Sequence, residues 1–315
     1  MAGYTGLSQR VPGAPIIHPI QVMPPEYHLQ SFWDDRFEKE RHFEWLGDGR
    51  ETLIPILSDH LRSLLRQQRD PPHAAPQCLH IGAGTSKLSD HIRGAYIEVY
   101  GEATNEGAIV NLDFSEAAVQ KGIEAEIARI HRQSHDRRNI GMQWVQADVL
   151  KWGDLAPLLG SDPRRHEDAG QRARFEIVLD KSTSDAISCG DDIVVEDGLA
   201  PSVANSPVVE RLAAQQGYPL RLQPVILLAL HLANLIHPGG LWISLSFSST
   251  RFSFMHAPEG DDRRNDGIQA ALSRYWILEQ HRTVDAPSGQ TKPGVYAPSI
   301  QYFVYVLRRT GVVVE

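Results

Sequence analysis

Along this chain, short apolar runs alternate with stretches whose apolar residues recur every three or four positions, which predicts strands and helices in turn. Cys78, Leu79 and Ile81 form the first run, ahead of Gly82-Ala83-Gly84. Thr85, Ser86 and Lys87 then open a helical pattern with Leu88 and Ile92 four positions apart. Further runs lie at Ala108–Leu112, Met142–Ala147, Phe175–Leu179 and Leu241–Ser246, with a last pair at Trp276–Asp285 and Ile300–Arg308. Helical spacing marks Glu51–Gln68, the stretch SEAAVQKGIEAEIARIHRQ from Ser115, and the short VERLAAQQ. Gln223 to Ile236 (QPVILLALHLANLI) reads as a buried helix that His237-Pro238-Gly239-Gly240 should stop. Strands alternating with helices predict an α/β fold built on a parallel sheet. The last run alternates well and has no helix after it, so the expectation is a doubly wound sheet of seven strands, mostly parallel, closed by an antiparallel hairpin. No internal repeat is visible.

Residues 1–25 hold many Gly and Pro without periodicity and read as a tail or a strap, and residues 26–315 as a single domain. Within that domain, residues 26–70 predict a helical lid. Its aromatics Phe32, Trp33, Phe37, Phe43 and Trp45 are interleaved with acids and bases, and Trp33 and Phe37 stand at helical spacing. Such a helix either buries an aromatic face or also closes a ligand pocket with Trp33 and Arg36, the arginine pairing with a carboxylate. Residues 159–174 form a charged loop, expected to be mobile. Residues 189–222 mix acids, small residues and proline, and read as an insertion near the active-site mouth or as a surface excursion.

Composition narrows the partners. The 315 residues suffice for a sizeable core, and 31 basic against 39 acidic residues give a net charge of −8. That balance offers no general attraction to nucleic acid or an anionic membrane. Two cysteines, Cys78 and Cys189, make no disulfide framework. The N-terminus lacks a basic-then-apolar signal pattern, and Val225 to Ile236 is too short to span a bilayer. These features together predict a cytoplasmic protein.

The chemistry centres on the glycine turn. Gly82 and Gly84 permit a sharp turn and close approach of a ligand, while the following helix offers free N–H groups to an anion. A dinucleotide site asks for a third glycine, which here is Lys87, and for an acid about 20 residues on, where Tyr100, Gly101 and Glu102 stand. S-adenosylmethionine has no pyrophosphate, and the smaller anion of its methionyl carboxylate suits a two-glycine turn. Asp113, at the end of the next run, either accepts both ribose hydroxyls or starts the following helix; Ser115 is the better candidate for the cap. Asp148 suits an adenine amino group, with Val149 packing on the ring. The fourth run ends in Asp180-Lys181-Ser182-Thr183-Ser184-Asp185-Ala186.

The set FWDDRF, CLHIGAGTSKLSDHI, IVNLDFSEAAV, WVQADVL, FEIVLDKSTSDAI, LIHPGGLWISLSFS and QYFVYVLRR resembles class I S-adenosylmethionine-dependent methyltransferases. Within them it looks most like the lysine methyltransferases of translation elongation factor 1-alpha. The resemblance covers about Ser31 to Arg309 and implies a Rossmann-like sheet, S-adenosylmethionine as cofactor and S-adenosylhomocysteine as product. By position it implies that Gly82, Ala83 and Gly84 form the methionine-binding turn. Asp113, Phe114 and Ser115 would lie on the ribose side, Asp148 and Val149 around the adenine, and Trp33 and Arg36 over the methionine end. Asp180 to Thr183 would line the transfer channel. The chain departs from the family at Ser182, where the family-like DKGT has glycine, and at Ser184, where leucine is usual; both fall on the acceptor side.

Methyl transfer from a sulfonium is an in-line displacement that needs no metal, so alignment carries most of the catalysis. Asp180 and Ser182 are the candidate catalytic residues. Asp180 either orients the acceptor or the cofactor amine, or caps its loop while positioning alone does the chemistry. The leading expectation is a protein lysine methyltransferase whose partner is a protein such as an elongation factor. A small-molecule N- or O-methyltransferase is the alternative, and a non-catalytic cofactor-binding scaffold the third.

Overall fold

Cys78–Ile81 (β1) is buried along its whole length, as the central strand of a doubly covered sheet must be. The structure is a computed structural model whose described residues are 25–67, 75–101, 104–133, 141–160, 175–197, 205–255, 266–286 and 300–314. The expected tail and most of the loop expected at 159–174 lie outside them. Parallel to β1 run Ile109–Asp113 (β2) on one side and Phe175–Lys181 (β4) on the other. Gln143–Gln146 (β3) pairs with β2, and Ile236–Ser246 (β7) with β4. Gln301–Arg309 (β9) lies antiparallel between β7 and Trp276–Asp285 (β8). The seven-stranded order is therefore β3-β2-β1-β4-β7-β9-β8, the mostly parallel, Rossmann-like sheet with an antiparallel closing pair.

Alternation along the strands builds one apolar core on each face. Leu79, Ile81, Val110, Leu112, Val178 and Trp242 face the first, with Pro224–Leu235 (α8) packed there. Every residue of α8 is buried, which is why its sequence has no polar face. Cys78, Ile109, Ile177, Leu179, Ile243 and Val306 face the second core, under Ile54–Gln67 (α2) and Leu88–Tyr100 (α3). Gln30–Lys39 (α1) contacts Glu116–Gln133 (α4).

Two expectations change. The run His237-Pro238-Gly239-Gly240 does not separate a helix from a strand starting at Leu241; it lies inside β7, which begins at Ile236. Phe175 pairs with Ile236 and Ile177 with Leu241, so the four residues bulge from the ladder. Proline, which has no N–H to donate, is tolerated there, and Gly239 takes a φ of 86°. The sequence also marks no strand within 189–222, yet among the described residues Ile193–Val195 (β5) pairs antiparallel with Leu220–Leu222 (β6). Pro207–Gln216 (α7) follows Ser206, whose side chain accepts from Val209 N as an N-cap.

Candidate active site

The turn after β1 depends on glycine at both ends. Gly82 and Gly84 have φ of 60° and 53°, where a side chain costs about 1–2 kcal/mol. Space is short as well: a Cβ on Gly82 would lie 2.0 Å from Thr183 Oγ1, and one on Gly84 3.0 Å from the Phe37 ring. Gly84 N donates to Asp113 Oδ2 (2.9 Å) and Ser115 N to Oδ1 (2.8 Å), so the acid at the end of β2 fixes the turn beside it. Each carboxylate oxygen keeps a further lone pair for a ribose hydroxyl. Burial raises Asp113 to about 6, against the pull of the Ser115 and Gly84 amides, and nearby Asp34 adds to the rise. Ser115 accepts from Ala118 N (3.3 Å), which makes it the cap of α4, and donates to Asp34 Oδ1 (2.5 Å).

A cavity of about 560 Å³ runs over the carboxyl ends of the strands, the place where open α/β sheets bind ligands. Trp33, Gly82, Ala83, Gly84, Asp113, Phe114, Asp148, Val149 and Ser182 all stand on its wall. Val149 O accepts from His231 Nδ1 (3.0 Å) of the buried α8, and Leu150 N donates to Asp148 Oδ1 (2.9 Å). Trp33 and Phe37 stack with centroids 5.7 Å apart and form part of the roof, and Trp33 Nε1 donates to Tyr27 O (2.7 Å).

Arg36, Ser115 and Asp180 do not stand on that wall. Arg36 pairs with Glu40 (3.1 Å) and lies 3.8 Å over the Phe43 ring, so its carboxylate partner is the residue that caps its own helix. Asp180 is fully buried. Its Oδ1 accepts from Thr183 N (2.9 Å) and Ser184 N (3.3 Å), and its Oδ2 from Ser244 Oγ (2.9 Å). Burial raises it to about 6, partly opposed by the two serine side chains. This geometry is that of a cap on the short helix Thr183–Ile187 (α6). Ser182 takes a φ of 67°, a left-handed conformation that accounts physically for a glycine preference at this position.

Two carboxylates that sequence reasoning did not single out hold the site together. Glu44 accepts from Ser86 Oγ (2.8 Å), Lys87 N (2.7 Å) and Lys181 Nζ (2.9 Å). Lys181 also donates to the carbonyls of Trp45 and Gly47, each at 2.9 Å, which ties residues 44–47 to the end of β4. Burial lowers the Lys181 ammonium, and Glu44 counteracts it. Asp185 accepts from Ser246 Oγ (2.5 Å), Ser182 Oγ (2.7 Å), Phe247 N (2.8 Å) and Arg251 Nε (2.9 Å). The acids themselves gave no local signal, because all of these partners but Ser182 lie far along the chain.

No protein-family model matches the sequence. A protein named methyltransferase srdJ, from Neurospora crassa, is 29% identical over 236 residues, covering 74% of this chain and 72% of its own. Among solved structures, one from work on conversion of a disulfide bond into a thioacetal group during echinomycin biosynthesis is 15% identical, with 90% of this chain and 94% of that one covered and a TM-score of 0.45. The N-methyltransferase NodS from Bradyrhizobium japonicum, in complex with S-adenosyl-L-homocysteine, is 13% identical, with 88% and 98% covered and a TM-score of 0.37. The sheet order, the glycine turn tied to Asp113 and the likeness to a methyltransferase sequence make this chain an enzyme of the class I, S-adenosylmethionine-dependent methyltransferase fold.

Proposed function

We propose that the enzyme methylates a small molecule enclosed in the cavity. The observation that carries this reading is the roof. His28 and Cys189 both line the cavity, and a Cβ on Gly190 would lie 3.3 Å from the His28 side chain. The lid and the start of the 189–222 segment therefore meet above the acceptor end. A small acceptor fits beneath that contact, whereas a lysine presented by a folded protein would have to displace it.

The residues present fit S-adenosylmethionine. Two glycines at positive φ turn the backbone along the cavity wall, beside a buried acid with lone pairs to spare and an aromatic cover. In this reading Gly82 to Gly84 hold the amino-acid end, Asp113 the ribose, and Phe114, Asp148 and Val149 the adenine. When bound, the cofactor would supply an activated methyl group open to in-line attack by an acceptor lone pair, with S-adenosylhomocysteine as the leaving group. Trp33, Phe37 and Phe43 exclude water, and the α6 turn, set by Asp180 and Ser182, aligns the acceptor. Orientation of this kind is worth roughly 7–11 kcal/mol.

The test uses S-adenosylmethionine with a labelled methyl group, incubated with lysate of the source organism and then split into protein and small-molecule fractions, with Asp113→Ala as control. Enzyme-dependent label in the small-molecule fraction supports the proposal. A single labelled protein band would overturn it in favour of the lysine reading that the family resemblance implies. Cofactor binding with no label in either fraction would leave a scaffold without turnover.

A further inference from the structure

The far end of the cavity carries a cation that the cofactor reading does not use. Asp113 closes β2, and Arg251 follows β7, three strands away in the order β2-β1-β4-β7. At about 4.8 Å per strand that is roughly 14 Å of sheet between the ends of β2 and β7, and Asp185, which holds Arg251, also accepts from Phe247 N just past β7. The arginine thus belongs to the acceptor half. Its Nε donates to Asp185 Oδ1 (2.9 Å), and its two Nη groups have no hydrogen-bond partner among the described residues. The other cation on the wall, Lys181, spends its three protons on Glu44, Trp45 and Gly47.

Asp185 is itself saturated. Ser182, Ser246 and the Phe247 amide hold it from three directions, so the plane of the Arg251 guanidinium is set before any ligand arrives. A fixed guanidinium edge recognises a planar oxyanion through two parallel N–H bonds, and partial exclusion of water strengthens them. Beside it, Ala186, Ile187 and the half-exposed Phe247 offer apolar surface for a carbon skeleton.

We infer that the acceptor bears an oxyanion, either a carboxylate or an ionised acidic hydroxyl, and that Arg251 takes it with the guanidinium edge that Asp185 leaves free. The inference rests on the small-molecule reading and names the substrate class of that site. Asp185 acts through Arg251 as a positioning residue.

The experiment titrates the full chain, saturated with S-adenosylhomocysteine, with benzoate against benzamide and with 4-nitrophenolate against 4-nitroanisole, by calorimetry at a pH where both acids are ionised. The ionised member of each pair is expected to bind at least about tenfold tighter, the factor a charge-assisted hydrogen bond contributes. Arg251→Gln should remove that preference while S-adenosylhomocysteine affinity stays within about threefold. Asp185→Asn should weaken the preference without abolishing it. Equal binding within the pairs, no binding of any probe, or a preference that survives Arg251→Gln would overturn the inference. So would a tenfold loss of S-adenosylhomocysteine affinity in a variant that melts cooperatively, which would give Arg251 to the cofactor's own carboxylate. If Arg251→Gln does not fold, Arg251→Lys decides: the preference must shrink, and an unchanged one refutes the fork geometry. Failure of the parent protein to bind S-adenosylhomocysteine would instead sink the function proposed above.

Discussion

Replacing Asp180 by asparagine should make the protein more stable at pH 7. In the folded chain this carboxyl is raised from 3.8 to about 6 because ionising it in a fully buried position forfeits hydration. At 1.36 kcal/mol per pH unit, that interval corresponds to about 3 kcal/mol of destabilisation by the charged form. Since the folded value lies above the unfolded one, the group's favourable contribution is complete below about pH 3.8 and is lost as pH rises through about 6. Asparagine removes the charge and keeps the hydrogen bonds. Its oxygen can accept from Thr183 N and Ser184 N, and its amide can donate to Ser244 Oγ, a hydroxyl that both donates and accepts. Urea denaturation of parent and variant from pH 4 to 8 is the assay. The variant should be more stable by up to about 3 kcal/mol at pH 7, with the difference shrinking toward pH 4. Taking that difference isolates Asp180 from Asp113, which burial also raises to about 6 and which therefore bends the parent's curve in the same window. A variant less stable than the parent, or a gain that does not depend on pH, would refute this account of the cap. Turnover within about tenfold of the parent is expected if Asp180 works by holding α6; loss of all activity would instead give it a direct part in the chemistry.

Asp113→Ala should weaken S-adenosylhomocysteine binding at least tenfold by calorimetry; unchanged affinity would mean that the ribose does not sit at the end of β2. Lys181→Met should cost about 3–5 kcal/mol in chemical denaturation, because it leaves the Glu44 carboxylate and the Trp45 and Gly47 carbonyls without their shared partner; proteolysis between residues 40 and 50 should quicken along with it. Ser182→Gly should leave stability within about 1 kcal/mol of the parent, since relief of the left-handed backbone offsets loss of the hydrogen bond to Asp185. Ser182→Val should be the less stable of the two, having neither benefit.

The parts of this molecule that could be read from the chain are those whose cause is local. Strand runs, the period of α2 and α4, and the fully apolar α8 follow from side chains spaced along one element. The glycine turn follows too, because φ of 60° at Gly82 is a demand made at a single position. Asp113, Phe114, Asp148 and Val149 could be brought to the cavity wall since Asp113 ends a strand and the others follow one within three residues, and ends of parallel strands gather at one edge. What stayed hidden depends on distant partners. Glu44 meets Lys181 from 137 residues away, and Asp185 meets Arg251 from 66. No period or spacing announces such a pair. Arg36 shows the converse: an arginine near a pocket in sequence found a nearer acid at Glu40, just past the end of its own helix. The bulge at His237–Gly240 misled for a similar reason, since proline and glycine mark an interruption without saying whether it interrupts a helix or a ladder.

The two organising carboxylates share no donor. Glu44 gathers Ser86, Lys87 and Lys181, while Asp185 gathers Ser182, Ser246, Phe247 and Arg251, with Thr183 between the two sets. Groups without common partners combine their energies nearly independently. Under the proposed function, a substitution within the Asp185 set is therefore expected to alter acceptor choice while leaving the Glu44 set, and cofactor affinity with it, unchanged.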